Sequence, residues 1–248
     1  AQSLNAEFVI VKKEDLEESW NFQDLNSQYK RNKKSFIKDN FKIYSSIATL
    51  RDKIYIIDKL TEKNINGKIY YEKEYDKKIF NIEKNLCVPF YKLTKMEREP
   101  SAIIFPYQKD NFKIIQETKL QQEHNLLLEY FNAVKPELIL RDKGKTDKYE
   151  SWFAYGRKQG LKKIHEKIFL FVPIMISENT SYPIINQNEF FLLTSGFAIG
   201  VKSEEEAQQL KEYFEKNFFE FIEKNGKMWP GKKPYYSFPK STLERFPI

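Results

Sequence analysis

Hydrophobic and polar residues alternate in short runs through the first hundred positions, then shift to helical spacing, and both patterns recur in the last third. Residues 6–12 alternate as a strand would, and Glu14 to Trp20 suits a helical turn. Three β segments are predicted between Phe41 and Tyr75: Phe41 to Tyr44, Lys53 to Ile57 and Lys68 to Tyr71. Asn66-Gly67, just before the last of these, is a strong hairpin signal because both residues accept positive φ. Val88 to Leu93 and Ser101 to Phe105 read as two further strands, the second ended by Pro106. Leu120, His124, Leu127, Phe131 and Val134 then fall on one helical face, which makes His124 a core histidine with its polar atoms satisfied. Pro136 is predicted to restart the chain into a short helix from Glu137 to Arg141, followed by a polar loop from Lys143 to Glu150.

Ile168 to Ile176 has the apolar character of a buried strand. Phe190 to Thr194 and Phe197 to Val201 flank Ser195-Gly196, predicted as a two-residue hairpin turn. Ser203 with Glu206 forms a capping box. The helix it opens carries Ala207, Leu210, Phe214, Phe218 and Phe221 at core spacing and ends at Gly226. The sum is a mixed α+β chain: β-rich at first, helical in the centre, then a hairpin and a long amphipathic helix.

Composition narrows the class. The 248 residues are 41% hydrophobic and 31% charged, a globular balance. No apolar run reaches the roughly 20 residues of a membrane span. The opening residues, with Gln2, Asn5 and Glu7, lack a basic-then-apolar leader pattern, so a cytoplasmic location is expected. One cysteine, Cys87, and two histidines, His124 and His165, are too few for a disulfide framework or a structural zinc site.

The formal net charge is +7, and its distribution matters more than its sum. Residues 1–20 are acidic, with Lys12 and Lys13 against five carboxylates. Between residues 141 and 163 eight Lys or Arg face three acids. From Lys224 to Lys240 five lysines stand with no acid at all, whereas residues 202–223 hold three Lys against seven Glu. Two basic segments around an acidic helix suit either a polyanion-binding patch or a set of solvated faces.

Catalytic signatures are missing. The glycines are never two apart and the prolines never adjacent, so neither a Gly-x-Gly cofactor loop nor an Asn-Pro-Pro-Tyr motif can be written. Gly226 to Lys232 spells a phosphate-loop pattern, but Lys233 replaces the Ser or Thr that would hold magnesium, and Pro230 interrupts it. Asp110 with Glu117 and Lys119 imitates a nuclease centre, yet leads into a helix where that chemistry needs a strand. Recognition chemistry is better represented. Trp152 to Gly160 places three aromatics, Arg157, Lys158 and Gln159 beside two glycines, with Lys162 and Lys163 close behind. Arg forks onto guanine and Gln onto adenine, while lysines suit phosphates. In an extended loop Arg157 and Gln159 would point to one side.

Several blocks occur in the order found in a known family. Ile47 to Ile57, Ile103 to Tyr107, Leu140-Arg141, the Trp152 to Gly160 run, Lys167 to Met175 and Tyr235 to Ile248 together resemble the C-terminal specificity domain of TaqI-like adenine-N6 DNA methyltransferases. The resemblance implies a target-recognition domain over residues 43–248, with residues 1–42 as the approach from a methylase domain. It implies double-stranded DNA as partner, beside a catalytic domain in cis or trans that binds S-adenosylmethionine; this chain itself would hold no cofactor, metal or catalytic residue. Combined with the basic segments, it marks Arg51, Arg141, Trp152, Tyr155, Arg157, Lys158, Gln159, Lys162, Lys163, Lys232, Lys233 and Tyr236 as DNA contacts. Other readings are a type I restriction specificity subunit, a recognition domain linked to a restriction endonuclease, and an RNA-binding or protein-interaction module.

Overall fold

The computed structural model describes residues 35–93, 101–231 and 234–248, in which helices and several sheets mix as an α+β fold. The strand and helical turn expected between residues 6 and 20 lie outside the described residues. The first described elements are α1 (Ile37–Asn40) and β1 (Lys42–Ser45). The Ile37 amide donates to the Phe246 carbonyl and the Ile248 amide to that of Ser35, each at 2.9 Å. These bonds tie the start of the unit to its end. This compact unit runs from Ser35 to Ile248.

The expected strand over residues 53–57 divides in two. Asp52–Tyr55 is a single helical turn, α2, and only Ile56–Ile57 is strand, β2. The Thr49 hydroxyl donates to the Asp52 carboxylate at 2.6 Å, and consecutive Ile54 and Tyr55 are both buried. The Tyr130 hydroxyl closes the Ile54 carbonyl at 2.6 Å from the central helix.

The Asn66-Gly67 turn forms as expected, with φ of 52° and 80°, between β3 (Glu62–Ile65) and β4 (Lys68–Tyr75). A second tight turn, Asp76-Lys77 at φ 48° and 61°, adds β5 (Lys78–Glu83), which has no counterpart in the sequence reading. A 3-10 turn leads to β6 (Cys87–Lys92), which pairs antiparallel with β7 (Ser101–Ile104), itself paired to β2.

The central stripe is buried at Leu120, Leu127, Phe131 and Val134, but on two helices, α3 (Glu117–Glu123) and α4 (Asn125–Ile139). His124 breaks them with φ −140° and ψ 48°. Pro136 lies inside α4 and restarts nothing; Leu138, one turn beyond Val134, carries the buried stripe past it.

The last third comprises β8 (Ile168–Pro173), β9 (Met175–Ile176), β10 (Ile184–Asn186), β11 (Leu192–Thr194) and β12 (Gly196–Val201). Ser195-Gly196 is not a hairpin turn. β11 runs parallel to β6, whereas β12 joins β1 and β8 in another sheet, so the chain changes sheets at Ser195, whose φ is 63°. Gly196 is required there: a Cβ would meet the Val172 carbonyl at 2.4 Å and the Leu93 side chain at 2.3 Å.

Ser203 caps α5 (Glu204–Asn225) by accepting the Glu206 amide at 3.1 Å, while the Glu206 carboxylate takes the amide of Lys202. The buried stripe ends on Ile222, and Phe221 is half-buried against Phe246. β13 (Lys227–Trp229), β14 (Tyr235–Ser237) and α6 (Lys240–Glu244) complete the chain. One core gathers β2, β5–β7, α3 and α4 around Phe131 and Phe153; a second gathers α5, β8 and β12 around Phe214 and Phe218. Each such buried phenylalanine contributes about 1.5–3 kcal/mol. Among the described residues no helix is long and apolar enough to cross a membrane.

Candidate nucleic-acid interface

Arg141, expected to face DNA, is 1% exposed and belongs to the interior. Its Nε donates to the Leu138 carbonyl at 3.0 Å, Nη1 to Thr49 at 3.0 Å and Ala154 at 2.7 Å, and Nη2 to Trp152 at 2.7 Å. The Tyr149 ring covers the guanidinium at 4.7 Å. One side chain thus joins the end of α4, the segment before α2 and the Trp152 to Gly160 run.

The aromatics of that run are also structural. Tyr155 is 3% exposed, its hydroxyl donates to the Ile104 carbonyl at 2.6 Å, and burial pushes its pKa well up. Trp152 is half-buried; its indole donates to Glu117 at 2.9 Å, and the Lys135 ammonium sits 4.5 Å from the ring centre. Tyr236 is buried against Phe219. None of the three offers an open ring for a base. Glu117 is thereby engaged and Lys119 pairs with Glu123, so the nuclease-like arrangement with Asp110 does not assemble. Among the described residues no carboxylate, His or Cys cluster suits a metal ion. Cys87 is buried and its thiol pKa is pushed up by burial, which leaves it no nucleophilic role.

The exposed remainder of the expected set gathers where two segments cross. The Arg157 amide donates to the Ala48 carbonyl at 2.8 Å and the Ala48 amide returns at 3.1 Å, an isolated antiparallel bridge. Two glycines permit the crossing. A Cβ on Gly160 would meet the Ser45 carbonyl at 2.6 Å, and one on Gly156 would meet the Leu50 side chain at 2.4 Å. At Gly160 the close approach is to this chain's own backbone, and at Gly156 to its own Leu50 side chain. Leu50 itself is held at φ 61°, and Asp142 and Lys143 beyond Arg141 at 48° and 60°. Left-handed backbone at residues other than glycine costs about 1–2 kcal/mol each and persists only when the surroundings enforce it.

Arg51, Arg157, Lys158, Gln159, Lys162 and Lys163 are all exposed along this crossing. Lys158 is paired with Glu150. The Leu161 amide donates to the Lys158 carbonyl at 2.8 Å, so Gln159-Gly160 is a turn and the segment is not extended. The expectation that Arg157 and Gln159 project together from an extended loop is corrected accordingly. Lys232 and Lys233 lie outside the described residues.

Sequence reasoning missed a second feature. Glu83, at the end of β5, is 7% exposed, and its Oε2 lacks a hydrogen-bond partner among the described residues. The same holds for His124 Nδ1, 3.8 Å from Glu83 Oε1, so His124 is not the satisfied core histidine expected. Both residues border a cavity of about 640 Å³ with Tyr71, Cys87 and Lys109, but the two unpartnered atoms are sealed from it. Burial holds the Glu83 carboxyl above its ordinary 4.5 and His124 below its ordinary 6.5. A raised carboxyl binds its proton more tightly in the folded state. Its stabilising contribution is therefore present below the unfolded value and lost as pH rises through the folded one. Glu83→Gln is expected to remove that loss. Its unfolding free energy should gain on the wild type as pH rises above the ordinary carboxyl value of 4.5, measured by urea denaturation. A flat difference across that range would return Glu83 to an ordinary carboxyl.

No protein-family model matches this chain, and no curated protein does.

Proposed function

We propose that this chain is the DNA-reading part of an S-adenosylmethionine-dependent adenine-N6 DNA methyltransferase, with the catalytic domain supplied in cis or in trans. The observation that carries the reading is the exposed row of Arg51, Arg157, Lys162 and Lys163 on a crossing that buried Arg141 and two glycines hold in strained geometry. Exposed cations gathered on a strained backbone element suit contacts to the phosphates of a polyanion. The resemblance of the ordered blocks points to duplex DNA as that polyanion. In the parent enzyme this domain orients the duplex while the partner domain extrudes the adenine and methylates it.

Salt dependence tests the reading. Duplex affinity should fall with salt at a log–log slope of about −0.9 for each phosphate neutralised. Lys162→Ala with Lys163→Ala should flatten that slope by about one to two units across all sequences, with an unchanged melting temperature because both side chains are exposed. An unchanged slope, or no duplex binding by the unsubstituted chain, would overturn the proposal.

A further inference from the structure

The strands β13, β14 and β9 form a small sheet with one unpartnered side. Trp229 lies opposite Tyr235, Lys227 opposite Ser237, and Ser237 opposite Met175. Opposed residues share a face and neighbours alternate, so Lys227, Trp229, Tyr235, Ser237 and Met175 occupy one side. Tyr236 and Ile176 occupy the other and are buried against α5. Met228 shares their register but lies on the edge strand and is exposed. The outer side is open: Trp229 is 40%, Tyr235 36% and Met175 40% exposed.

We infer that this outer face is a stacking platform for unpaired nucleotides, with Trp229 and Tyr235 as the base-binding rings and Lys227 as the phosphate contact. Three observations converge on this ligand. The Trp229 indole is fixed, because its Nε1 donates to the Ser237 hydroxyl at 2.8 Å. One face of its ring carries only the Lys227 ammonium, 4.4 Å from the ring centre, and neither Trp229 nor Tyr235 stacks on another ring among the described residues. The surrounding segment is cationic, with no acidic residue in the sequence from Lys224 to Lys240. Glu223, just before it, bonds the Tyr236 hydroxyl on the opposite side of the sheet.

Open aromatic faces beside lysine select a partner that is both anionic and flat. In a fully paired duplex each base face is covered by its neighbours, whereas an extruded or single-stranded base has its face available. As such a base slides onto the indole, Lys227 moves from the ring to the adjoining phosphate, exchanging a cation–π contact for an ion pair. The platform extends the DNA-recognition reading and rests on it for its partner: strand separation around a flipped adenine supplies the unpaired nucleotides.

The experiment uses the full chain with fluorescently labelled oligothymidylate and a fully paired duplex of equal length. Trp229→Ala and Tyr235→Ala should each weaken single-strand binding by about 5- to 150-fold, leave duplex binding unchanged, and keep the melting temperature. Trp229→Phe should restore most of the loss. Unchanged single-strand affinity in both alanine variants overturns the platform, as does an equal loss on both ligands. Displacement by poly-glutamate as readily as by oligothymidylate overturns it too, and assigns the face to an acidic protein. Loss of duplex binding in the unsubstituted chain, with Trp229-dependent single-strand binding intact, removes the DNA-recognition reading and leaves the platform standing.

Discussion

Replacing Arg141 by leucine is expected to lower the free energy of unfolding by about 3 kcal/mol or more, because several buried carbonyls lose their donor. The guanidinium donates to four backbone carbonyls from three separate segments, beside the Ala48–Arg157 bridge and the Tyr55 hydroxyl, which reaches the Phe153 and Ala154 carbonyls. Leucine fills much of the volume but leaves Leu138, Thr49, Ala154 and Trp152 without this donor in a buried region. Each neglected acceptor costs on the order of 1–3 kcal/mol. Lysine is expected to rescue little, because a single ammonium cannot reproduce a planar fork aimed at several carbonyls. Urea denaturation of Arg141→Leu and Arg141→Lys measures both costs. A loss below about 1 kcal/mol for leucine would mean that the crossing is held by its backbone bridge and packing alone.

The effect reaches the surface through Thr49. Its carbonyl binds Arg141, its hydroxyl starts α2, and its neighbour Leu50 occupies the left-handed region against Gly156. Loosening Arg141 frees Leu50 to leave φ 61°, and the register between Ala48 and Arg157 relaxes with it. A destabilised Arg141 variant is therefore expected to bind duplex DNA more weakly even though its own side chain never meets solvent.

Elements whose determinants are local were legible in the sequence. The Asn66-Gly67 turn, the Ser203 cap and the α5 stripe depend on residues within a turn or two of each other. What escaped were decisions taken at a distance. Ser195-Gly196 looks like a hairpin turn locally, but Gly196 is small because Leu93 and Val172 press on it, and β11 and β12 join different sheets. Asp76-Lys77 makes as tight a turn as Asn66-Gly67 without any glycine, so composition gave no sign of β5. The candidate site divides the same way. Six exposed polar positions were found from their chemistry, whereas Arg141, Trp152, Tyr155 and Tyr236 were assigned to the surface because they are chemically able to bind nucleic acid. Arg141 follows directly on the buried stripe of α4, and Phe153 to Tyr155 is an uninterrupted apolar run. Those neighbours were the signal that these side chains turn inward. Trp229 escaped because its exposure depends on how β13 pairs, which no local pattern reports.

Arg157→Ala is expected to leave the melting temperature unchanged and to weaken duplex DNA binding without regard to sequence. The residue ties its loop to the core through its own amide and carbonyl, both bonded to Ala48, and alanine keeps both. Its side chain is exposed and makes no hydrogen bond or ion pair among the described residues, so truncation leaves no buried group unpaired. On the DNA-recognition proposal, two roles are open to the guanidinium. A bidentate base contact would cost a preferred duplex about 5- to 150-fold and spare random sequence. A phosphate contact would weaken both equally and flatten the salt slope by about 0.9. The turn at Gln159-Gly160 favours the second role: it removes the extended geometry that would have brought an arginine fork and an amide onto adjacent base pairs. Lys158 is already engaged with Glu150, which leaves Arg157, Lys162 and Lys163 as the cations of this run free to take up phosphates. Parallel titrations with a duplex selected from a random library and with the unselected pool separate the two roles. Loss confined to the selected duplex would make Arg157 a base reader, and a lowered melting temperature would return its side chain to the scaffold.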